Sequence, residues 1–309
     1  MAGGDVIEAA ARLKSGELVI LPTETVYGLA ADAADPIAVA RLYEAKGRPR
    51  FNPLIAHVAG LDAAVRVGDF DPRALALAAA FWPGPLTLVV PAIDGPDAVC
   101  SLARAGLDTV ALRVPRHPLA LNLLDEVGRP LVAPSANRSG RPSPTNFADA
   151  MEETGAFAAC GLDGGPCAIG LESTVVACLD GPARLLRPGG LERSRIEAVI
   201  GPLAEAADDA RRSPGRLALH YAPEAPVRIN AAGPEAGEAY LAFGPAPLGP
   251  LVFNLSPRRD LRQAAANLFS MLRAADRTRP RAIAVAPIPA EGLGEAINDR
   301  LKRAAGYVG

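Results

Sequence analysis

At 309 residues the chain is long enough for two domains, each able to bury a core of its own. Half of the residues are apolar and 21% are charged, and the net charge of −2 with a pI near 6.0 lacks the basic surplus by which proteins grip nucleic acid through many phosphates, so no stable nucleic-acid binding is expected. No apolar run approaches the roughly 18 residues of a membrane span, no signal-like pattern opens the chain, and the four cysteines (Cys100, Cys160, Cys167, Cys178) form no C-x-x-C pair; a cytoplasmic protein with free thiols and no zinc site is expected.

In chain order, Val6, Ile7, Ala10 and Leu13 recur at helical spacing until Gly16. Residues 18–21 read as a strand that opens into Pro22-Thr23-Glu24-Thr25-Val26-Tyr27-Gly28-Leu29. Hydroxyls and a carboxylate leaving one strand tip together suit a small polar ligand, or equally a strand-to-helix connection with a capping Thr. Asp35-Pro36 opens a helix that carries Ile37, Leu42 and Tyr43 toward a core and ends near Gly47. Lys46-Gly47-Arg48-Pro49-Arg50-Phe51-Asn52-Pro53 then sets three cations within five residues among Gly and Pro, a rigid cationic loop suited to a polyphosphate. Residues 54–58 resume as strand and contain His57; a helix from Asp71 stops at Trp82-Pro83-Gly84-Pro85 before a strand at 86–90. In residues 109–114, Val110, Leu112 and Val114 share one face and Thr109, Ala111 and Arg113 the other. A core-facing arginine is costly without a partner, so Arg113 either meets solvent or lines an anion-binding cavity; the loop and helix after it (117–127) favour the cavity.

Leu131-Val132-Ala133-Pro134-Ser135-Ala136-Asn137 repeats the opening plan of apolar strand, proline and small polar residues. Ser139-Gly140-Arg141-Pro142-Ser143-Pro144-Thr145 is a restricted polar loop before a helix from Asn146, Glu172, Ser173 and Thr174 start another strand, and Arg187 tips the strand at 184–189. Residues 204–225 keep no period and read as a linker holding Ser213-Pro214-Gly215 and His220-Tyr221-Ala222-Pro223. Beyond it, strands at 227–229, 239–243, 251–255 and 282–286 and helices at 260–275 and 293–304 suggest a small parallel sheet; lacking G-x-G-x-x-G, it is assigned no nucleotide. The expected architecture is α/β throughout, with a catalytic domain at 1–203, the linker, and a small domain at 226–309.

The loops at 22–29 and 46–53, together with Ser135-Ala136-Asn137 and Glu172-Ser173-Thr174-Val175-Val176, resemble the YrdC-like family, whose two-domain members are threonylcarbamoyl-AMP synthases of tRNA modification. The resemblance covers nearly the whole chain from about Gly16. It implies a twisted mixed sheet with helices around a cationic cavity, and a Rossmann-like C-terminal α/β domain. It also implies ATP-binding positions at Lys46, Arg48, Asn52, Thr109, Ser135, Ser143 and Arg187, with Asn137 ordering the same wall. Thr25, His57, Arg113, Ala133 (through its backbone) and Ser173 fall on threonine-binding positions, and Tyr221 on the linker residue that covers the nucleotide. Two departures stand out: Arg216 occupies a place expected to be apolar, and Ala177 stands where an Asp commonly follows, so that carboxylate's role is lost or passes to Asp180.

The implied reaction joins ATP, L-threonine and bicarbonate, with Mg²⁺ neutralising the leaving pyrophosphate, and hands its product to a separate tRNA threonylcarbamoyl transferase. It needs no enzyme nucleophile, and no Ser-His-Asp or Cys-His arrangement is evident; it needs fixed positive charge, alignment and exclusion of water. Without the family, His57 reads as a hydrogen-bonded core histidine, Glu24 either orients the loop or touches ligand, and His117, His220 and Trp82 are structural. One rival is a double-stranded RNA or tRNA-binding module, against which the charge balance and the lack of aromatic–basic interleaving count. Another is a related carbamoyl-adenylate enzyme with a different acceptor amine, against which the two-domain length and the linker motif count.

Overall fold

The computed structural model describes residues 5–95, 97–205 and 220–307. Most of the expected linker, with Ser213-Pro214-Gly215 and Arg216, lies outside the described residues. Asp5 caps helix α1 (Val6–Lys14) by accepting from the Ile7 N–H, and Asp35 caps α2 (Pro36–Lys46) the same way, with Pro36 at its first position and Gly47 ending it in the left-handed conformation at φ +57°. Between them lies a hairpin: β1 (Val19–Leu21) pairs antiparallel with β2 (Gly28–Asp32), so residues 22–27 form a turn at the hairpin end and do not lead into a helix.

The rest of the first unit adds β3 (Ile55–His57), α3 (Leu61–Ala64), α4 (Pro72–Phe81), β4 (Leu86–Pro91), β5 (Thr109–Arg113), α5 (Pro118–Val127), β6 (Leu131–Val132), α6 (Phe147–Thr154), β7 (Cys160–Gly161), β8 (Thr174–Ala177), β9 (Arg184–Arg187), α7 (Arg193–Ile200) and β10 (Ala204–Glu205). The strands form one mixed ten-stranded sheet in the order β10-β9-β8-β4-β5-β3-β6-β2-β1-β7. The alternation expected of β5 holds: Val110, Leu112 and Val114 enter the large core with Leu42, Tyr43 and Leu88, whereas Ala111 packs on the opposite face with Val89, Val175 and Leu186. A third cluster, Ala10, Leu13, Leu123, Leu124 and Val127, joins α1 to α5. Two apolar residues expected inside are outside: Ile7 and Ile37 are about two-thirds exposed (66% and 64%), because the buried stripes of α1 and α2 run instead through Ala9, Ala10 and Leu13 and through Ala38, Val39, Leu42 and Tyr43. The expected linker also begins late, since Ala204–Glu205 pairs parallel with β9 as the sheet's edge.

The second unit contains β11 (Val227–Arg228), β12 (Glu238–Phe243), β13 (Val252–Ser256), α8 (Leu261–Arg277), β14 (Ala282–Val285) and α9 (Leu293–Ala304). Its sheet is parallel throughout, in the order β11-β14-β12-β13. The apolar cluster of this unit continues across to Val26, Leu171 and Tyr221, so the two units share buried surface at the hairpin turn. At this seam Gly170 stands at φ +73°, and a Cβ there would lie 2.5 Å from the Ala266 Cα of α8; only glycine permits both the conformation and the approach. Buried ion pairs tie the same seam: Arg273 of α8 to Glu153 of α6 at 3.0 Å, and Arg300 of α9 to Glu172 at 2.9 Å.

Candidate active site

The sheet brings several strand ends to one cavity. The turn after β1 contributes Thr23, Thr25 and Val26; β3 contributes His57, β5 Arg113, the chain after β6 Ala133 and Ser135, the approach to β8 Glu172 and Ser173, and β9 Arg187. Arg48 enters from the loop after α2, and His220 and Tyr221 close the other side.

Arg113 organises one wall. Its guanidinium donates to Thr25 Oγ1 at 2.8 Å, to Glu24 Oε1 at 2.7 Å and to the Gly84 carbonyl at 3.2 Å. Thr23 ties the turn together, its Oγ1 accepting from the Thr25 and Val26 N–H groups and lying 2.8 Å from Thr25 Oγ1. Of the two roles left open for Glu24, the observed one is orientation: it binds Arg113 through one oxygen and the Arg116 N–H through the other. His57 lies beside Arg113 in parallel register. Burial first, and the Arg113 charge second, lower His57 to about 3, so the ring is neutral at physiological pH; its buried Nδ1 finds no hydrogen-bond partner among the described residues.

The other wall is cationic. Arg48 donates to the Asn52 and Pro53 carbonyls and meets no carboxylate among the described residues; although part of its surface reaches the cavity, burial lowers it to about 10, which leaves it charged. Arg187 donates to the Ser173 carbonyl at 2.9 Å, and burial lowers it too. Ser173 Oγ lies 2.7 Å from Thr87 Oγ1. Glu172 accepts from Ser143 Oγ at 2.5 Å and from Arg300 Nε at 2.9 Å. Burial raises the Glu172 carboxyl, but Arg300 and Arg187 outweigh it and hold the group below its ordinary value; for Glu24 burial is likewise outweighed by Arg113 and the Arg116 N–H.

With both carboxylates depressed, their contribution to stability is fully present above the unfolded value of 4.5 and is lost as pH falls through the lower folded values. The urea midpoint is therefore expected to hold from neutral pH to about 5 and to drop below that, less steeply in Glu24→Gln. A midpoint flat down to about pH 3 in the unaltered protein would contradict this assignment.

Of the site residues expected from sequence, Thr25, Arg48, His57, Arg113, Ala133, Ser135, Ser173, Arg187 and Tyr221 line the cavity. Lys46, Asn137 and Ser143 stand behind its wall. Lys46 is the last residue of α2 rather than part of a loop, and its buried Nζ donates to the Ser135 and Asn137 carbonyls. The Asn137 side chain donates to the Arg138 and Arg141 carbonyls and so fixes the same turn. Asn52 is buried under the cationic loop, its carbonyl taking the Tyr43 hydroxyl at 2.9 Å. Thr109 lies apart from these residues. It shares a face with Arg113 but lies four residues away, about 13 Å along a strand, and opens on a separate depression with Asp108, Asp180 and Arg184. Asp180 lies in that depression as well, so it does not replace at the cavity the carboxylate lost at Ala177.

His220, expected to be structural, lines the cavity, its ring edge-on to Tyr221 at 4.0 Å. His117 does serve structure: it caps α5, its Nδ1 accepting from the Leu119 N–H. Trp82 is structural as well, donating to the Leu86 carbonyl at 2.7 Å and packing on Phe70. Thr23, Glu172 and Arg300 were not singled out from the sequence. For Thr23 and Glu172 the signal was present, because both lie inside the quoted motifs.

Arginines and hydroxyls turned from separate strand ends into one cavity, with no activated nucleophile among the described residues, define a binding and alignment site for a polyanion; burial pushes the nearby Cys167 thiol up to about 12. Residues 11–189 match the family model described as telomere recombination, and residues 191–306 match the threonylcarbamoyl-AMP synthase C-terminal domain. The chain is 42% identical to the threonylcarbamoyl-AMP synthase of Bacillus subtilis over 97% of its own length and 93% of that protein's, and 41% identical to the one from Pyrococcus abyssi with the same coverage. The crystal structure of P. abyssi Sua5 complexed with L-threonine superposes with a TM-score of 0.89 at 39% identity, covering 98% of this chain and 94% of that one. E. coli YciO, at 19% identity and a TM-score of 0.52 over 60% of this chain and 88% of that one, shares the fold of the first unit. The chain belongs to the threonylcarbamoyl-AMP synthase family.

Proposed function

We propose that the protein forms L-threonylcarbamoyl-AMP and pyrophosphate from L-threonine, bicarbonate and ATP. The observation that carries this reading is the convergence of Arg48, Arg113 and Arg187 on one hydroxyl-lined cavity in a chain of this family. The threonine amine attacks the carbon of bicarbonate, forming an N–C bond with loss of water. An oxygen of the resulting carbamate then attacks the α-phosphorus, and the bond to the β-phosphate breaks to release pyrophosphate. Thr25, His57, Arg113 and Ser173 hold the amino acid, and Arg113, already fixed by Glu24, presents further N–H donors to its carboxylate. Arg48 and Arg187 face the phosphates, where buried positive charge strengthens as negative charge develops on the leaving group.

Magnesium enters with the nucleotide. No cluster of three potential ligands exists among the described residues; Glu172, which lines the cavity, is committed to Arg300, and Glu24, which orients Arg113, is committed to that arginine. An ATP-bound ion would screen the pyrophosphate as it departs. No helix among the described residues is long and apolar enough to cross a membrane, and the four cysteines are free thiols. Both fit a reaction carried out in the cytoplasm, from which the adenylate passes to a separate tRNA threonylcarbamoyl transferase.

Pyrophosphate release followed with each amino acid in turn tests the reading. Release is expected to require L-threonine and bicarbonate together, with L-serine weaker by roughly 1 kcal/mol, about fivefold, for one unburied methyl. Equal turnover with unrelated amino acids would remove the threonine assignment.

A further inference from the structure

Arg300, near the end of α9, is fully buried although it belongs to the second unit and does not itself line the cavity. A buried guanidinium persists only where partners meet it. Its Nε binds Glu172 Oε2 at 2.9 Å and its Nη1 binds Asp299 Oδ2 at 2.6 Å, while Nη2 finds no hydrogen-bond partner among the described residues. Asp299 is gripped in turn by Arg303, so the ion pair has a rigid base on the helix. The Arg300 guanidinium also lies 5.3 Å from the centre of the Tyr221 ring, which Phe269 of α8 flanks at 5.4 Å. Tyr221 stands at φ +62°, a backbone conformation a tyrosine keeps only when its surroundings hold it there.

We infer that Arg300 is a positioning residue through which the second unit sets the nucleotide-facing wall, holding the Tyr221 ring by a cation–π contact and the Glu172 carboxylate by an ion pair. Tyr221 and Glu172 both line the cavity, and Glu172 carries the position on to Ser143. The inference rests on the proposed reaction and gives the second unit a task in it. The seam supplies its own control. Arg273 of α8 is also buried and crosses the same boundary, to Glu153 at 3.0 Å and to the Pro142 carbonyl, but its hydrogen bonds reach no cavity-lining residue. A latch that merely joins the units would make the two arginines equivalent.

The experiment compares full-length Arg300→Met, Arg300→Lys, Glu172→Gln and Arg273→Met by thermal unfolding and by pyrophosphate release, varying ATP and then threonine. Arg300→Met is expected to raise the KM for ATP roughly tenfold or more while moving that for threonine by less than about twofold. Arg300→Lys should recover part of the loss, since it keeps the charge but not the planar fork, and Glu172→Gln should shift the ATP KM in the same direction. Arg273→Met should lower the unfolding temperature and leave both constants within about twofold. An ATP KM unchanged in Arg300→Lys and Glu172→Gln, or an increase that Arg273→Met shares, would overturn the inference even if Arg300→Met fails to fold. Absence of threonine- and bicarbonate-dependent release in the unaltered protein would overturn the functional reading, and this inference with it.

Discussion

Arg113→Met is expected to cost about 3–5 kcal/mol of stability and to lower kcat/KM by roughly 10²–10³-fold. Both effects follow from one geometry. Arg113 and Glu24 are 2.7 Å apart with 5% and 8% of their side chains exposed, so removing the cation strands a carboxylate away from water. The same change takes the donor from Thr25 and from the space beside His57. The double variant Glu24→Gln/Arg113→Met separates the consequences, because it strands no charge: most of the stability should return in urea unfolding while activity stays lost. If the single variant is as stable as the parent, the ion pair does not hold the turn. If the double variant regains activity, Arg113 does not face the substrate.

Arg48 and Lys46 lie two residues apart, yet their substitutions should fail differently. Arg48 faces the cavity and donates within its own loop only to carbonyl oxygens. Arg48→Ala should therefore remove about 1.5–3 kcal/mol of transition-state binding, a ten- to hundredfold fall in kcat/KM, with an unfolding temperature within about 2 °C of the parent. Lys46 instead fastens the carbonyls of Ser135 and Asn137 from behind the wall, and burial holds its amine well below the ordinary lysine value. Lys46→Met leaves those carbonyls unmatched and should cost about 1–3 kcal/mol of stability alongside its loss of activity. Unchanged kinetics in Arg48→Ala would make the loop an ordinary solvated turn.

Elements with strong local signals were legible in the sequence. Asp35-Pro36 and Gly47 bracket α2, Asp260 caps α8, and the period-2 pattern of β5 places Arg113 on the face opposite Val110, Leu112 and Val114. The strand β2 was not legible, because Gly28, Ala30, Ala31 and Asp32 carry little strand preference; pairing with β1 and β6 makes it a strand. The short edge strands β7 and β10 are likewise made by their neighbours.

The site divides along the same line. Residues within motifs arrive together because each motif sits at a strand end, and the sheet order brings those ends into one place. Thr109 shows where the pattern stops, since alternation fixes the face of a residue but not which end of the strand meets the cavity. Arg300 shows the opposite gap. Nothing in the helical pattern of residues 293–304 separates Arg300 from Asp299 and Arg303, and the docking of α9 against Glu172 is what buries it. His220 stands inside the quoted His220-Tyr221-Ala222-Pro223 motif, but local pattern does not show that it lines the cavity together with Tyr221.

In the proposed reaction the carbon of bicarbonate becomes the carbonyl joining threonine to AMP. Incubation with ATP, L-threonine and ¹³C-bicarbonate, with rapid mass analysis of the nucleotide products, tests it most directly. The expected product is an adenylate heavier than AMP by the threonylcarbamoyl group, carrying the label and formed one for one with pyrophosphate. Pyrophosphate released with only unlabelled adenylate, or with threonine joined to AMP without the carbonyl, would contradict it.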